Sequence, residues 1–149
     1  MSGMGRTLLA SLLLLAAVPA RAEQGDRVFM AQLVGRTVFR GLLAGHVESL
    51  LPHCAEQVSL DGEVVKGREA LLPRLKAMAT RARELGIQLR RVEVLSYQEV
   101  VRRFGPPPER LRRSVGPGQL VVLARFSSLG AVAVLRRVGP FWKITAISD

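Results

Sequence analysis

The fold is decided by one stretch, LVVLARFSSLGAVAVLRRVGPFWKITAIS at residues 120–148. Apolar residues dominate three runs within it, residues 120–126, 131–138 and 141–148, and Ser, Gly and Pro residues separate the runs. Short apolar runs bounded by turn-forming residues are typical of β-strands. The stretch therefore predicts a meander of three antiparallel strands.

Further strands are predicted upstream of this stretch. Two short runs, residues 57–60 and 63–66, flank the dipeptide Asp61-Gly62, which is a strong signal for a tight hairpin between strands. Residues 87–95 alternate imperfectly and predict one more strand. The dipeptide Arg90-Arg91 interrupts that alternation, so we expect a bulge there.

The N-terminal half has the period of helices. Apolar residues recur at steps of three and four over residues 27–43, which predicts one amphipathic helix. Residues 46–51 predict a second, short helix that ends at Pro52, because proline fits poorly inside a helix. A third helix is predicted over residues 68–85, and we expect Pro73 to kink it or to move its start further along the chain.

The segment from residue 96 to residue 118 is predicted to be an insert between two strands. It begins with a capping box, Ser96 and Glu99, and continues through three prolines at residues 106–108. This pattern predicts a small helix, a stiff turn and a loop. Because the segment is longer than an ordinary hairpin connection, we expect it to be functional or mobile.

Both faces of the first strand in the meander are apolar. Val122 and Ala124 lie on one face, but Val121 and Leu123 on the opposite face are apolar as well. A sheet of this kind needs a cover on each side. The helices cover one side, and a homodimer is the simplest cover for the other.

The first 22 residues have the organisation of a secretory signal peptide. Arg6 provides the positive charge, residues 8–18 are apolar, and Pro19-Ala20-Arg21-Ala22 ends in a small-x-small cleavage site. The apolar run is short for a membrane-spanning helix, so an uncleaved anchor is the weaker alternative. We expect a secreted or periplasmic protein, a single domain over residues 23–149, and no transmembrane segment after cleavage.

The chain carries a net charge of +10, and most of the excess comes from arginine. One basic cluster lies in the insert, and it consists of Arg102, Arg103, Arg110, Arg112 and Arg113. Of these, Arg110, Arg112 and Arg113 are the candidates for binding an anionic partner, and the alternative is a solvated surface loop. Nucleic acid is not expected as a partner, because an exported protein seldom encounters it.

The single cysteine, Cys54, has no partner for an internal disulfide. We expect it to be a small buried apolar residue, with an intermolecular disulfide as the alternative. Its neighbour His53 could pair with it as a nucleophile couple or metal site, but adjacent residues on an extended chain point in opposite directions. Two ligands also do not complete a zinc site. No metal and no cofactor is therefore predicted.

Four segments together resemble a known superfamily. They are Phe39 to Leu51, Cys54 to Val58, Lys66 to Leu71, and Gly139 to Ile144. Their order and spacing resemble the superfamily named after nuclear transport factor 2, which includes ketosteroid isomerase, scytalone dehydratase and the SnoaL-like cyclases. The resemblance implies an α+β fold in which a cone-like, curved antiparallel sheet packs on three N-terminal helices, here with an inserted helical loop.

The same resemblance locates candidate site residues. Asp61 falls near the general base of ketosteroid isomerase, and His46 replaces an Asp that the family usually has at the start of the second helix. Val38 stands near the isomerase's oxyanion-binding Tyr, and Val134 and Leu135 stand near its second acid. Because valine and leucine cannot donate a hydrogen bond to an enolate, the isomerase chemistry is not carried over.

Two functions remain open. The first is a non-catalytic binding or interaction module that holds a small apolar ligand in the cone. By resemblance, Trp142, Phe126 and Ile144 face that interior, although the same residues could simply fill the core. The second is a small isomerase, dehydratase or cyclase that uses Asp61 or His46 as its base.

Overall fold

The computed structural model describes the backbone from residue 7 to residue 149 and the side chains from residue 25 onward. The chain divides into two compact units, residues 1–30 and residues 31–149. The predicted signal peptide lies outside the residues whose side chains are described, so its cleavage and the domain start at residue 23 stay predictions. Over the described range, no helix has both the length and the hydropathy to cross a membrane.

The elements follow the order helix, hairpin, helix, strand, insert and meander. The helices are α1 (Thr7–Ala44), α2 (Arg68–Glu84), α3 (Tyr97–Phe104) and α4 (Glu109–Arg112), and a 3-10 helix spans Val47–His53. The strands are β1 (Cys54–Leu60), β2 (Glu63–Lys66), β3 (Leu89–Ser96), β4 (Leu120–Phe126), β5 (Gly130–Val138) and β6 (Phe141–Ser148). The predicted strands and helices of residues 27–149 are all present, and the insert holds one more short helix, α4, than predicted.

The six strands form one mixed sheet in the order β2-β1-β6-β5-β4-β3. All neighbours are antiparallel except β1 and β6, which pair in parallel. The predicted bulge in β3 is confirmed, because the register between β3 and β4 shifts between Leu89 and Arg91. Hairpin signals describe only neighbours along the chain, so they gave no sign of the parallel pair.

The hairpin between β1 and β2 has the predicted tight turn. Both turn residues have a positive φ, 51° at Asp61 and 90° at Gly62. These angles belong to the left-handed region, which Gly and Asp adopt more readily than other residues. The turn holds Asp61 at the end of β1, beside the last residue of the chain.

The prediction that a helix ends at Pro52 is wrong, and the prediction for Pro73 is wrong only for the helix start. Helix α2 begins at Arg68, with Pro73 inside it, so the start is not displaced, and a kink at Pro73 stays a prediction. The amide of Leu71 still donates to the carbonyl of Gly67, which closes the first turn ahead of the proline. The short helix of residues 46–51 is a 3-10 helix, and it continues through Pro52 to His53.

The main core lies between α1, α2 and one face of the sheet. Phe39 from α1, Leu75 from α2 and Val122 from β4 are all buried there. Helix α1 lies close to β4 at Gly35, where an added Cβ atom would lie 2.7 Å from a Val122 methyl carbon. Only glycine at this position allows the helix backbone to lie so close to the strand.

The opposite face of the sheet is covered by the chain's own insert. Leu111 and Val115 from the insert pack against Val121, Val134 and Ala146 in a second apolar cluster. This finding corrects the argument for a homodimer, because the second face already has an intramolecular cover. The dimer itself stays a prediction without that support.

The first residues of the insert attach it to the sheet. The predicted capping box is present: the Ser96 amide donates to the Glu99 carboxylate at 2.7 Å, and the Glu99 amide donates to the Ser96 hydroxyl at 3.2 Å. The Arg103 guanidinium then donates to the Glu93 carboxylate of β3 at 2.7 Å. These contacts fix α3 over the end of the sheet.

The close approach at Gly35 gives the first prediction. We expect Gly35→Ala to lower the free energy of unfolding by about 1–3 kcal/mol, since the added methyl group overpacks the contact with Val122. Chemical denaturation measures this change. Gly116→Ala is the control, because its Cβ would lie 3.8 Å from the nearest heavy atom. Equal effects of the two substitutions would contradict the close-packing argument.

Candidate functional site

The cone pocket lies between the two long helices and the concave end of the main core. It has a volume of about 150 Å³. Its wall combines Phe39, Leu42 and Leu43 of α1; Met78, Arg81, Ala82, Leu85 and Ile87 of α2 and its C-terminal loop; Phe126, Leu129, Ala131 and Ile147 of the sheet; and Asp61 and Asp149. Most of this wall is apolar. The pocket is therefore suited to an apolar ligand with a polar end.

Three polar residues line the cone pocket. Asp61 comes from the β1–β2 turn, Arg81 from α2 and Asp149 from the chain after β6. All three are exposed. The Asp149 amide donates to the Asp61 carboxylate over 3.2 Å. This arrangement places one oriented carboxylate and one guanidinium on the same pocket, where they can meet a polar group of a ligand.

Only one of the three predicted pocket residues lines the cone pocket. Phe126 does, and its ring packs edge-on against Phe39 with centroids 5.8 Å apart. Ile144 is completely buried in the main core, and Trp142 is half-buried against that core. Neither Trp142 nor Ile144 is part of the pocket wall.

A register shift explains part of this placement. Ile144 pairs with Leu135 and Ala146 pairs with Val134, so Thr145 is the extra residue in β6. After Thr145, each side chain of β6 therefore points to the opposite face of the sheet from the one that strict alternation would give. Ala146 therefore lies in the second apolar cluster, and the pocket is lined by Ile147 instead.

The two candidate bases are not brought together. His46 is exposed immediately before the 3-10 helix, and its backbone carbonyl accepts a hydrogen bond from the Ser49 hydroxyl at 2.6 Å. It does not line the cone pocket, whereas Asp61 does. Val38 is buried in the main core, and Val134 faces the insert.

A second cavity, the insert groove, lies on the other side of the sheet. It has a volume of about 400 Å³ between α3, α4 and strands β4 and β5. Its floor includes Val121, Leu123 and Val132, and the insert contributes Val100 and Leu111. No local sequence pattern indicates this groove, because the residues that line it come from segments far apart in the chain.

The arginines of the insert do not act as one patch. The Arg110 guanidinium donates to the backbone carbonyl of Asp149 at 2.6 Å, which ties α4 to the end of β6. Arg110 and Arg113 line a surface cleft together with Asp61. Arg112 is exposed and lines none of these cavities. Anion binding by Arg110, Arg112 and Arg113 stays a prediction.

Cys54 is half-buried and lies at the start of β1. Burial raises the pKa of its thiol to about 11, and the nearby charges of Lys143 and Arg68 offset only part of this rise. The thiol is therefore protonated at neutral pH and is a poor nucleophile. Within the described residues, no group of three or more His, Cys, Asp and Glu side chains is placed to hold a metal ion.

Sequence reasoning missed the contribution of α2 to the pocket. Met78, Ala82 and Leu85 recur at steps of three and four along that helix, a spacing that is typical of residues packed in a core. Arg81 lies next to this stripe and also lines the pocket. The signal was present in the helical spacing, but it does not distinguish a packed residue from one that borders a cavity.

No protein-family model matches this chain, and no curated protein matches it in sequence. Solved structures do match it. A candidate dehydratase of the NTF2-like family from Streptomyces avermitilis is 18% identical, covers 84% of this chain and 95% of its own, and has a TM-score of 0.51. An NTF2-like protein with a cystatin-like fold from Novosphingobium aromaticivorans is 14% identical, covers 98% of this chain and 90% of its own, and has a TM-score of 0.47.

The element order, the curved mixed sheet and the likeness to the Streptomyces avermitilis structure agree with one another. The chain has the nuclear transport factor 2-like fold. The predicted α+β fold class is confirmed.

The raised pKa of Cys54 gives the second prediction. We expect the native thiol to react with iodoacetamide at pH 8 at least about tenfold more slowly than the thiol of the urea-unfolded chain, because less thiolate is present. Mass spectrometry of the alkylated protein measures both rates. Stability also falls as pH rises above the ordinary thiol pKa of 9.0, since only the unfolded chain then loses the proton. Equal alkylation rates would contradict the assignment.

Proposed function

We propose that this chain is an exported, non-catalytic binding module that holds a small apolar ligand in the cone pocket. The observation that carries the proposal is the wall of that pocket, where apolar side chains from two helices and the sheet enclose the space. Export is the part of the proposal that rests on the N-terminal sequence, residues 1–22.

The size of the cone pocket limits the ligand. An engineered apolar cavity of roughly 150 Å³ binds a benzene-sized molecule. The cone pocket has a similar volume and a similar lining of Leu, Ile and Phe side chains. We therefore expect a ligand with about one ring, or a short branched chain, in the enclosed part of the pocket.

The polar groups give the ligand an orientation. Arg81 and the Asp61 carboxylate line the pocket, while its apolar wall is formed by residues such as Phe39 and Phe126. A ligand with one hydroxyl or carboxyl group could place its apolar part against these rings and its polar group near Arg81. Specificity in such pockets comes from a few polar contacts of this kind.

Filling the pocket tests the binding proposal. We expect Ala82→Trp to abolish saturable binding of fluorobenzene, since the indole occupies the space that the ligand needs. Titration followed by fluorine NMR measures the binding. Ala77→Trp is the matched control, because Ala77 is exposed on the same helix and does not line the pocket. Absence of binding to the unmodified protein, or equal binding by both variants, would refute the proposal.

A second candidate function is that of a small isomerase, dehydratase or cyclase with Asp61 as the base. Two observations favour it. Asp61 and Arg81 line the same pocket, so a base and a cation could act on one substrate. The Streptomyces avermitilis protein with the same fold is a candidate dehydratase. His46 does not line the cone pocket, which leaves Asp61 as the base in this alternative.

Asp61→Asn separates the two functions. Asparagine keeps the oxygen that accepts from the Asp149 amide and tolerates the positive φ, so the fold is expected to persist. Native mass spectrometry of both proteins, purified from the same cells, measures the mass of the retained ligand, and chromatography of the extracted ligand identifies the compound. A binding module retains the same compound in both proteins. A dehydratase retains a compound heavier by one water in the Asp61→Asn protein, and an isomerase or cyclase retains a compound of equal mass but different chromatographic retention, because the substrate is no longer converted.

A further inference from the structure

The β5–β6 hairpin extends beyond the rest of the sheet. The last residue of β5 that pairs with β4 is Leu135, and the residue of β6 that pairs with the start of β1 is Ile144. Three further pairs follow toward the tip: Arg136 with Lys143, Arg137 with Trp142, and Val138 with Phe141. We call these residues, 136–143, the hairpin tip. The hairpin tip therefore has no neighbouring strand on either side.

The hairpin tip combines exposed apolar residues with cations. Phe141 is 63% exposed and Val138 is 44% exposed, and the two residues pair across the hairpin, so they form one contiguous apolar patch. Arg136 and Arg137 are exposed beside them, and the Lys143 ammonium lies 5.5 Å from the centre of the Phe141 ring.

No acid balances these cations along the hairpin. The sequence from residue 131 to residue 148 contains no Asp or Glu. In the part of the chain with described side chains, Arg136, Arg137 and Lys143 form no salt bridge with a carboxylate. Arg137 instead donates to the carbonyl of Gly139 at 3.1 Å, within the tip. The charges of Lys143 and Arg68 both lower the pKa of the Cys54 thiol, so Arg68 is a further cation near the base of the hairpin.

We propose that the hairpin tip docks this protein onto an anionic lipid surface. Phosphate headgroups would meet Arg136 and Arg137, and the side chains of Val138 and Phe141 would enter the interfacial layer. The half-buried Lys143 ammonium, which donates to the Pro52 carbonyl, would add positive charge at the base of the tip. Basic residues that flank a short apolar segment bind membranes in this way. The apolar tip favours a lipid surface over a free phosphate ion, because a soluble anion offers nothing in which Phe141 can be buried.

Trp142 makes the proposal testable at one place. It is the only tryptophan in the chain and directly follows Phe141. We expect vesicles of phosphatidylcholine and phosphatidylglycerol with brominated acyl chains to quench Trp142 fluorescence in the full chain. Vesicles of phosphatidylcholine alone, and inorganic phosphate, should leave it nearly unchanged.

Matched variants test each part of the tip. We expect the double variant Arg136→Ser, Arg137→Ser to weaken partitioning into anionic vesicles about fivefold for each charge removed. The double variant Arg90→Ser, Arg91→Ser removes an exposed adjacent pair from β3, changes the net charge equally and should alter partitioning less than about twofold. Phe141→Ser should weaken it about tenfold, because its ring no longer leaves water. Leu129→Ser is the control for Phe141→Ser, because it removes an exposed apolar side chain from the β4–β5 connection, outside the tip.

Three outcomes would overturn the proposal. The first is equal quenching by neutral and anionic vesicles, or no quenching by either. The second is an equal loss of partitioning in the two arginine double variants, which would mean that overall charge alone drives binding. The third is an equal effect of Phe141→Ser and Leu129→Ser. Thermal melting of every variant shows that it is folded, so a loss of partitioning is assigned to the tip.

Discussion

The structure depends on burying strand β4 on both faces. Val122 on one side is fully buried and Val121 on the other is 2% exposed, so both faces are buried at this point of the strand. Such a strand is stable only when two separate layers cover it. Helices α1 and α2 supply one layer, and the insert with α3 and α4 supplies the other. The close contact at Gly35 and the cluster around Leu111 are consequences of this single requirement.

Both cavities arise where these two layers separate from the sheet. On the helix side, α1 and α2 leave an apolar space near Phe126, and the β1–β2 turn brings Asp61 to it. On the other side, the short helices of the insert leave a groove over Leu123 and Val132. The packing that stabilises β4 therefore also creates the places where a ligand can bind. The groove has a larger volume, but the cone pocket has the oriented carboxylate.

The hairpin tip has a different origin, because β5 and β6 continue there beyond their pairing with β4 and β1. Trp142 still packs against the main core, but Val138 and Phe141 are exposed. Apolar residues in such a place do not contribute to the core. Their position next to three cations makes them more suitable for an interface with lipid than for packing within the chain.

The sequence by itself determined the element order, the β1–β2 hairpin, the capping box at Ser96, the bulge near Arg91 and the α+β fold class. Each of these depends on residues close together in the chain, where periodicity and turn chemistry act directly. Only the tertiary structure decided that β1 pairs with β6 in parallel, that the insert covers the second face, and that Thr145 reverses the alternation of β6. For the same reason it alone placed Arg81 and Asp61 on the wall of one pocket and left Trp142 and Ile144 outside that wall. These features depend on contacts between distant segments, and local patterns do not encode which distant side chains meet.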